Sequence, residues 1–162
     1  MTWSCDDTRA RILLSRLVEP ADVRVGARLA QVGPVVVAQE IVDGTSPLPH
    51  AETLRVRLVR DPDSLVDTDL AAAQRIGARM IMPGTVAWPT QLDDLGWRTP
   101  ILLWALGAAD LRLLASRSIA MVGARAATAY GESLARRWAA DFCDSGWTVT
   151  SGGAVGIDAA AH

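Results

Sequence analysis

Apolar residues recur at helical spacing through the first part of the chain. Between Thr8 and Val18, Ile12, Leu13, Leu14, Leu17 and Val18 line one face. Glu19-Pro20 closes that segment, because the residue before a proline is pushed away from the helical region. Asp22 to Val32 repeats the pattern, with Val25, Leu29 and Val32 on one face, and Gly33-Pro34 breaks it. Val35 to Val42 predicts a third helix, weakened by the β-branched run Val35, Val36, Val37. Thr45 to His50 carries Pro47 and Pro49 and reads as a linker. Leu54 to Leu58 fits helix or strand. Asp67 to Ile76 reads as a helix that starts from an N-cap at Asp67.

The pattern then changes. Arg79 to Met82 is a short apolar run closed by Pro83-Gly84, a strand signal. Trp88-Pro89 to Leu95 predicts a turn into a short helix, and Ile101 to Leu106 is a second apolar run ending at Gly107. Ser118 to Val122 is continuously apolar up to Gly123, which fits a strand buried on both faces of a parallel sheet. Tyr130 to Asp144 predicts a helix with Leu134, Trp138 and Phe142 at i, i+4 and i+8, flanked by Ala135 and Ala139. Each large side chain buried there would contribute ~1.5–3 kcal/mol. Gly146 stops the helix, Trp147 to Thr150 is β-rich, and Val155 onward begins another helix. Ser118 to Thr150 is thus strand, helix, strand, long enough for a right-handed parallel crossover.

Composition narrows the class. Half of the 162 residues are hydrophobic and 21% are charged, the balance of an ordinary globular protein. No stretch is long and apolar enough to span a bilayer. Asp6, Asp7, Arg9, Arg11, Arg16 and Glu19 interrupt any signal-peptide core, so the expected location is the cytoplasm, with no membrane partner. Cys5 and Cys143 have no metal-type spacing and read as free thiols. Every basic residue other than the two histidines is an arginine, so a phosphate contact by a side-chain cation must use the planar guanidinium fork. The formal net charge of −2 leaves no global basic footprint, and nucleic-acid binding would have to rest on a local site.

In a parallel crossover both strands end at the same sheet edge. Here that edge receives two glycine-bearing turns, one at Gly123, Ala124 and Arg125 and one at Ser151, Gly152 and Gly153. Amides freed at a helix start favour an anion, and glycine lets backbone approach a phosphate closely. Arg125 adds charge; Thr128, Tyr130 and Ser151 add hydroxyl donors. Glycines that merely fit tight turns would give the same pattern. A P-loop is excluded, since the chain has no lysine. There is no G-x-G-x-x-G, and the second strand ends in Ser151 rather than in the acid that would bind a ribose. NAD binding is therefore not expected, nor any other cofactor.

The stretches 118–125 (SIAMVGAR), 128–131 (TAYG) and 151–162 (SGGAVGIDAAAH) resemble the V-G-S-R, T-x-Y-G and S-G-x-A-x-G-I-D-x-A-A-H signature of the DprA/Smf family of DNA-processing proteins, in order and in spacing. WPTQL at 88–92 is similar to that family's Y-P-x-x-L, and Ile101 to Gly107 resembles its apolar strand ending in glycine. The resemblance implies an α/β protein: a small SAM-like helical domain, 1–64, then an incomplete Rossmann-like parallel-sheet domain, 65–162. It also implies a non-enzymatic role in natural transformation and DNA recombination. Such proteins bind incoming single-stranded DNA, protect it, assist loading of the RecA recombinase and act as homodimers. Carried over by position, Gly123, Ala124, Arg125, Ser151, Gly152, Gly153 and Gly156 would line the pocket for the DNA backbone, with Thr128 and Tyr130 as added hydroxyl donors and Arg125 as the main charged contact.

The chain departs from the family in three ways. Ala124 replaces a serine, which removes one hydroxyl but keeps the amide. S-G-G-A replaces S-G-L-A, a looser turn. The family also continues past the equivalent of His162 with further strands, so this chain reads as a portion truncated within the sheet domain, with exposed sheet edges expected to lower stability and promote association.

Several single residues carry further expectations. Asp158 should order the second turn or cap the last helix. His50 and His162 have no nucleophile or metal partner in the sequence and read as incidental. Trp138 and Trp147 read as core, while Trp3, Trp88, Trp97 and Trp104 are undetermined. Arg136 and Arg137 read as a solvated face. Ser151 is not in a G-x-S-x-G elbow, so no catalytic residue is assigned. The rival readings are a Rossmann-like enzyme that binds nucleotides or cleaves nucleoside monophosphates, which lacks its P-G-G-x-G-T-x-x-E stretch here, and a non-functional fragment.

Overall fold

The first apolar stripe folds as α1, Asp7–Leu17, in a computed structural model that describes residues 5–162. Asp6 caps it by accepting from the Arg9 amide at 2.8 Å, and Ala10, Ile12, Leu13, Leu14 and Leu17 are buried. Trp3 lies outside the described residues. The next two expected helices form one element, α2, Val23–Asp43, interrupted at Gly33, where φ is 77° and ψ 166°. Only glycine takes that conformation readily, and Pro34 can begin the second half because the amide it lacks would have been an orphan there. Arg28 and Glu40 form an ion pair across the break. Gly44, left-handed at φ 73°, ends the helix. The ambiguous stretch near Leu54 is helical, as α3, Ala51–Val56.

The next helix starts earlier than expected. It is α4, Pro62–Ile76, capped by Asp61 and not by Asp67. Asp61 accepts from the Ser64 amide at 2.9 Å, and Pro62 sits at the first helical position. Asp67 lies inside the helix, where its carboxylate takes the Arg9 guanidinium of α1 at 2.9 Å; Asp63 takes the same guanidinium at 2.7 Å. Ile12, Leu13, Leu17, Val25, Val37, Ile41, Leu65 and Val66 form the shared core of these helices.

Two short strands follow, β1, Arg79–Ile81, and β2, Leu103–Ala105, paired antiparallel with Met80 opposite Trp104. Between them runs a 3-10 segment, Thr90–Arg98, broken at Gly96. It lies backbone to backbone on α2: a Cβ on Gly26 would sit 1.8 Å from the Trp97 carbonyl oxygen. Trp88 is core, 1% exposed, and its indole N–H donates to Asp93 at 2.9 Å. Trp97 and Trp104 are exposed.

The chain divides into two compact units between Ala108 and Ala109. The second opens with a short helix that the apolar pattern did not signal, α5, Leu111–Ser116, capped by Asp110. Strands β3, Ser118–Ala120, and β4, Thr148–Thr150, then pair in parallel, Ile119 opposite Val149, with α6, Ala129–Asp144, as the crossover between them. The chain ends in α7, Ile157–Ala161. The architecture is α/β with a helical beginning and a parallel strand pair, as expected.

Two expectations about packing fail. The stretch 118–122 is not buried on both faces: Met121 is buried, while Ala120 and Val122 are exposed, because β3 has one strand partner among the described residues. Trp138 and Trp147 are not core but 50% and 40% exposed. The core of this unit is built from small side chains, Ala135, Ala139, Ala160 and Ala161 around Met121, which lets α6 and α7 approach closely. Leu134 and Phe142 are half-buried beside that line, and the Arg117 guanidinium lies over the Trp147 ring, 5.2 Å from its centre.

Candidate functional site

Because β3 and β4 are parallel, the turns that leave them emerge at one edge, and the structure brings them into contact. The Ile157 amide donates to the Ala124 carbonyl at 3.2 Å. A Cβ on Gly156 would lie 2.3 Å from the Ala124 oxygen and 2.5 Å from the Arg125 oxygen, and its φ is 87°. A Cβ on Gly123 would lie 2.7 Å from Ile157. These two glycines are where they are because the second turn presses on the first.

Asp158 ties the turns together from inside. One carboxylate oxygen accepts from the Gly123 amide at 3.2 Å and the other from the Gly152 amide at 3.1 Å. The side chain is buried, the only buried polar or charged residue among those described. Sequence reasoning expected Asp158 to order one turn or to cap the last helix. It reaches both turns, a link across 35 residues that no local spacing announces.

Ser151 is also engaged within the protein. Its hydroxyl oxygen accepts from the Gly153 amide at 3.3 Å and shares a hydrogen bond of 2.8 Å with His162 Nε2. His162 thus has a partner in the fold: the helical turn of α7 carries it back onto Ser151. His50 is not isolated either, since its Nε2 lies 3.0 Å from the Asp22 carboxylate.

Thr128 and Tyr130 stand at the start of α6. Thr128 is its N-cap and accepts from the Gly131 amide at 3.1 Å. The Ile157 side chain lies 3.4 Å from where a Gly131 Cβ would be, so this first turn adjoins the two loops. Tyr130 is 76% exposed. Arg125 is exposed and makes no ion pair among the described residues. The amides of Ala124 and Arg125 likewise donate to no acceptor among them. An unpaired guanidinium, unpaired amides and a phenol at a helix start form a set of donors with no acceptor to match, suited to an anion. No group of three or more His, Cys, Asp or Glu among the described residues is placed to hold a metal ion. No helix among them is long and apolar enough to cross a membrane.

Residues 79–162 match the family model for DNA recombination-mediator protein A. The chain is 40% identical over 164 aligned residues, 95% of its length, to proteins named putative DNA processing protein DprA in two strains of Mycobacterium tuberculosis, CDC 1551 / Oshkosh and H37Rv. It is 35% identical over 94 residues, 57% of its length, to the DNA processing protein DprA of Bacillus subtilis strain 168. It spans 41% of the mycobacterial relatives' length and 31% of the Bacillus relative's. With more than half of its residues matched to that model, and with the two turns that carry the family signature meeting at one sheet edge, the chain belongs to the DNA recombination-mediator protein A family.

Proposed function

We propose that the edge formed by the two turns binds the sugar–phosphate backbone of single-stranded DNA. The reading rests above all on Arg125, an exposed, unpaired guanidinium in a turn held by backbone contact with a second glycine turn. Gly123, Ala124, Arg125, Ser151, Gly152, Gly153 and Gly156 line the edge, and Thr128 and Tyr130 flank it. Phosphate suits the Arg125 guanidinium and the amides of Ala124 and Arg125 because each of its oxygens accepts two or more hydrogen bonds, while guanidinium and amide N–H groups only donate. Such binding reads no base. It fits a protein that coats whatever strand it meets.

Membership of the family, and the names of the relatives, support the wider role: a non-enzymatic, cytoplasmic protein of DNA uptake and recombination that protects single strands and assists RecA. In the whole protein it would act as a homodimer, with residues 1–64 as a SAM-like domain and 65–162 as the start of the DNA-binding one.

Fluorescence anisotropy of a labelled single-stranded oligonucleotide, at low and moderate salt, tests the site. The expected result is binding that weakens as salt rises and falls at least about tenfold in Arg125→Glu, with both chains folded by circular dichroism. Equal binding by the variant moves the site elsewhere; no binding by the folded parent overturns the reading.

A further inference from the structure

We propose that Asp158 is the positioning residue of this edge: its carboxylate takes the Gly123 and Gly152 amides as an internal anion, leaving a ligand phosphate the amides of Ala124 and Arg125 and the Arg125 guanidinium. The inference rests on the reading of the edge as a phosphate-backbone site and changes which atoms do the binding.

Hydrogen-bond capacity sets the limit. An amide has one N–H. Those of Gly123 and Gly152 point at the two oxygens of one carboxylate, at 3.2 and 3.1 Å. A phosphate reaching for either amide would have to expel a buried carboxylate or rest against it, anion on anion. The room confirms this. A Cβ on Gly152 would already stand 3.2 Å from the second Asp158 oxygen, and one on Gly123 would strike Ile157. Asp158 and Ile157 thus account for the absence of a side chain at both positions. The Ala124 and Arg125 amides donate to no acceptor among the described residues, and the same clamp fixes the turn that carries them.

Two variants and one method separate this from a merely structural acid. Amide hydrogen exchange of the full chain, read residue by residue by nuclear magnetic resonance, should find the Gly123 and Gly152 amides protected together. At least one of them should lose protection in Asp158→Asn, whose carboxamide keeps a single acceptor oxygen. Gly152→Ala leaves Asp158 in the sequence but crowds its carboxylate. It should loosen the Gly123 amide as well, although Gly123 is far away along the chain. A Gly123 amide indifferent to both changes overturns the clamp.

An unlabelled single-stranded oligonucleotide is then added to the parent chain. Shifts should be largest at the Ala124 and Arg125 amides, with Gly123 and Gly152 still protected. In binding assays Asp158→Asn should be about tenfold weaker with the salt slope unchanged, since no phosphate contact is removed. The largest shifts at Gly123 and Gly152, or full affinity in Asp158→Asn, overturn the proposal. No response anywhere, with the exchange coupling intact, overturns the DNA-binding reading instead and leaves the clamp standing.

Discussion

Gly156 and Ala124 are in backbone contact: a single methyl group on Gly156 would stand 2.3 Å from the Ala124 carbonyl oxygen. At φ 87° and ψ −128° the residue also occupies a region that side chains avoid. Gly156→Ala should therefore destabilise the second unit by more than about 2 kcal/mol. Urea unfolding followed by circular dichroism would measure it. A variant as stable as the parent would mean that the two turns do not touch in solution.

A comparable contact governs the first unit. Gly26 lies in helix α2, where alanine normally gains about 1 kcal/mol over glycine. Here the Trp97 carbonyl oxygen stands 1.8 Å from the position the new carbon would take. The sign should reverse, with Gly26→Ala costing about 2 kcal/mol. The emission of Trp97, now released from α2, should change with it.

Trp88 combines burial with one polar contact, its indole N–H on Asp93 at 2.9 Å. Trp88→Phe keeps most of the volume but leaves that carboxylate without its donor, and should cost about 1–2 kcal/mol. Trp88→Ala should cost about 3–5 kcal/mol. A negligible loss in Trp88→Phe beside the full loss in Trp88→Ala would show that packing alone matters there.

Asp61 predicts an acid dependence. Hydrogen bonds from Ser64, side chain first and then backbone, followed by the Asp63 amide, hold its carboxyl below the usual carboxylate range. A group depressed in the folded state stabilises it at pH above the ordinary carboxylate value, and that contribution disappears as pH falls through the depressed one. Asp61→Ala should lower the urea midpoint at neutral pH, and the gap to the parent should close in acid. A gap independent of pH would assign the effect to helix propensity.

Much of this was legible in the chain. The stripe from Ile12 to Leu17, the break at Gly33-Pro34 and the strand–helix–strand around α6 follow from spacing and from residues with special backbones. The start of α4 is legible too: Asp61-Pro62, a capping acid followed by a proline at the first helical position, is a stronger signal of a helix start than Asp67. Trp138 differs from its expected place for another reason. Periodicity says which residues share a face, not what stands opposite, and alanines fill the contact that α6 makes. At the candidate site the glycines and Arg125 stood out locally. The reach of Asp158 to Gly123, and of His162 to Ser151, depends on tertiary closure and has no short-range mark.

The carboxylate of Asp158 belongs to a helix of five residues, yet it holds turns that follow two different strands. The first of those turns is made long before its acceptor leaves the ribosome. Until then the Gly123 amide faces water and the loop has no template for its shape. The edge thus closes only where α7 docks against both turns. A single backbone cut between Gly152 and Gly156 would undo it just as abruptly, freeing a loop some thirty residues upstream that the protease never touched.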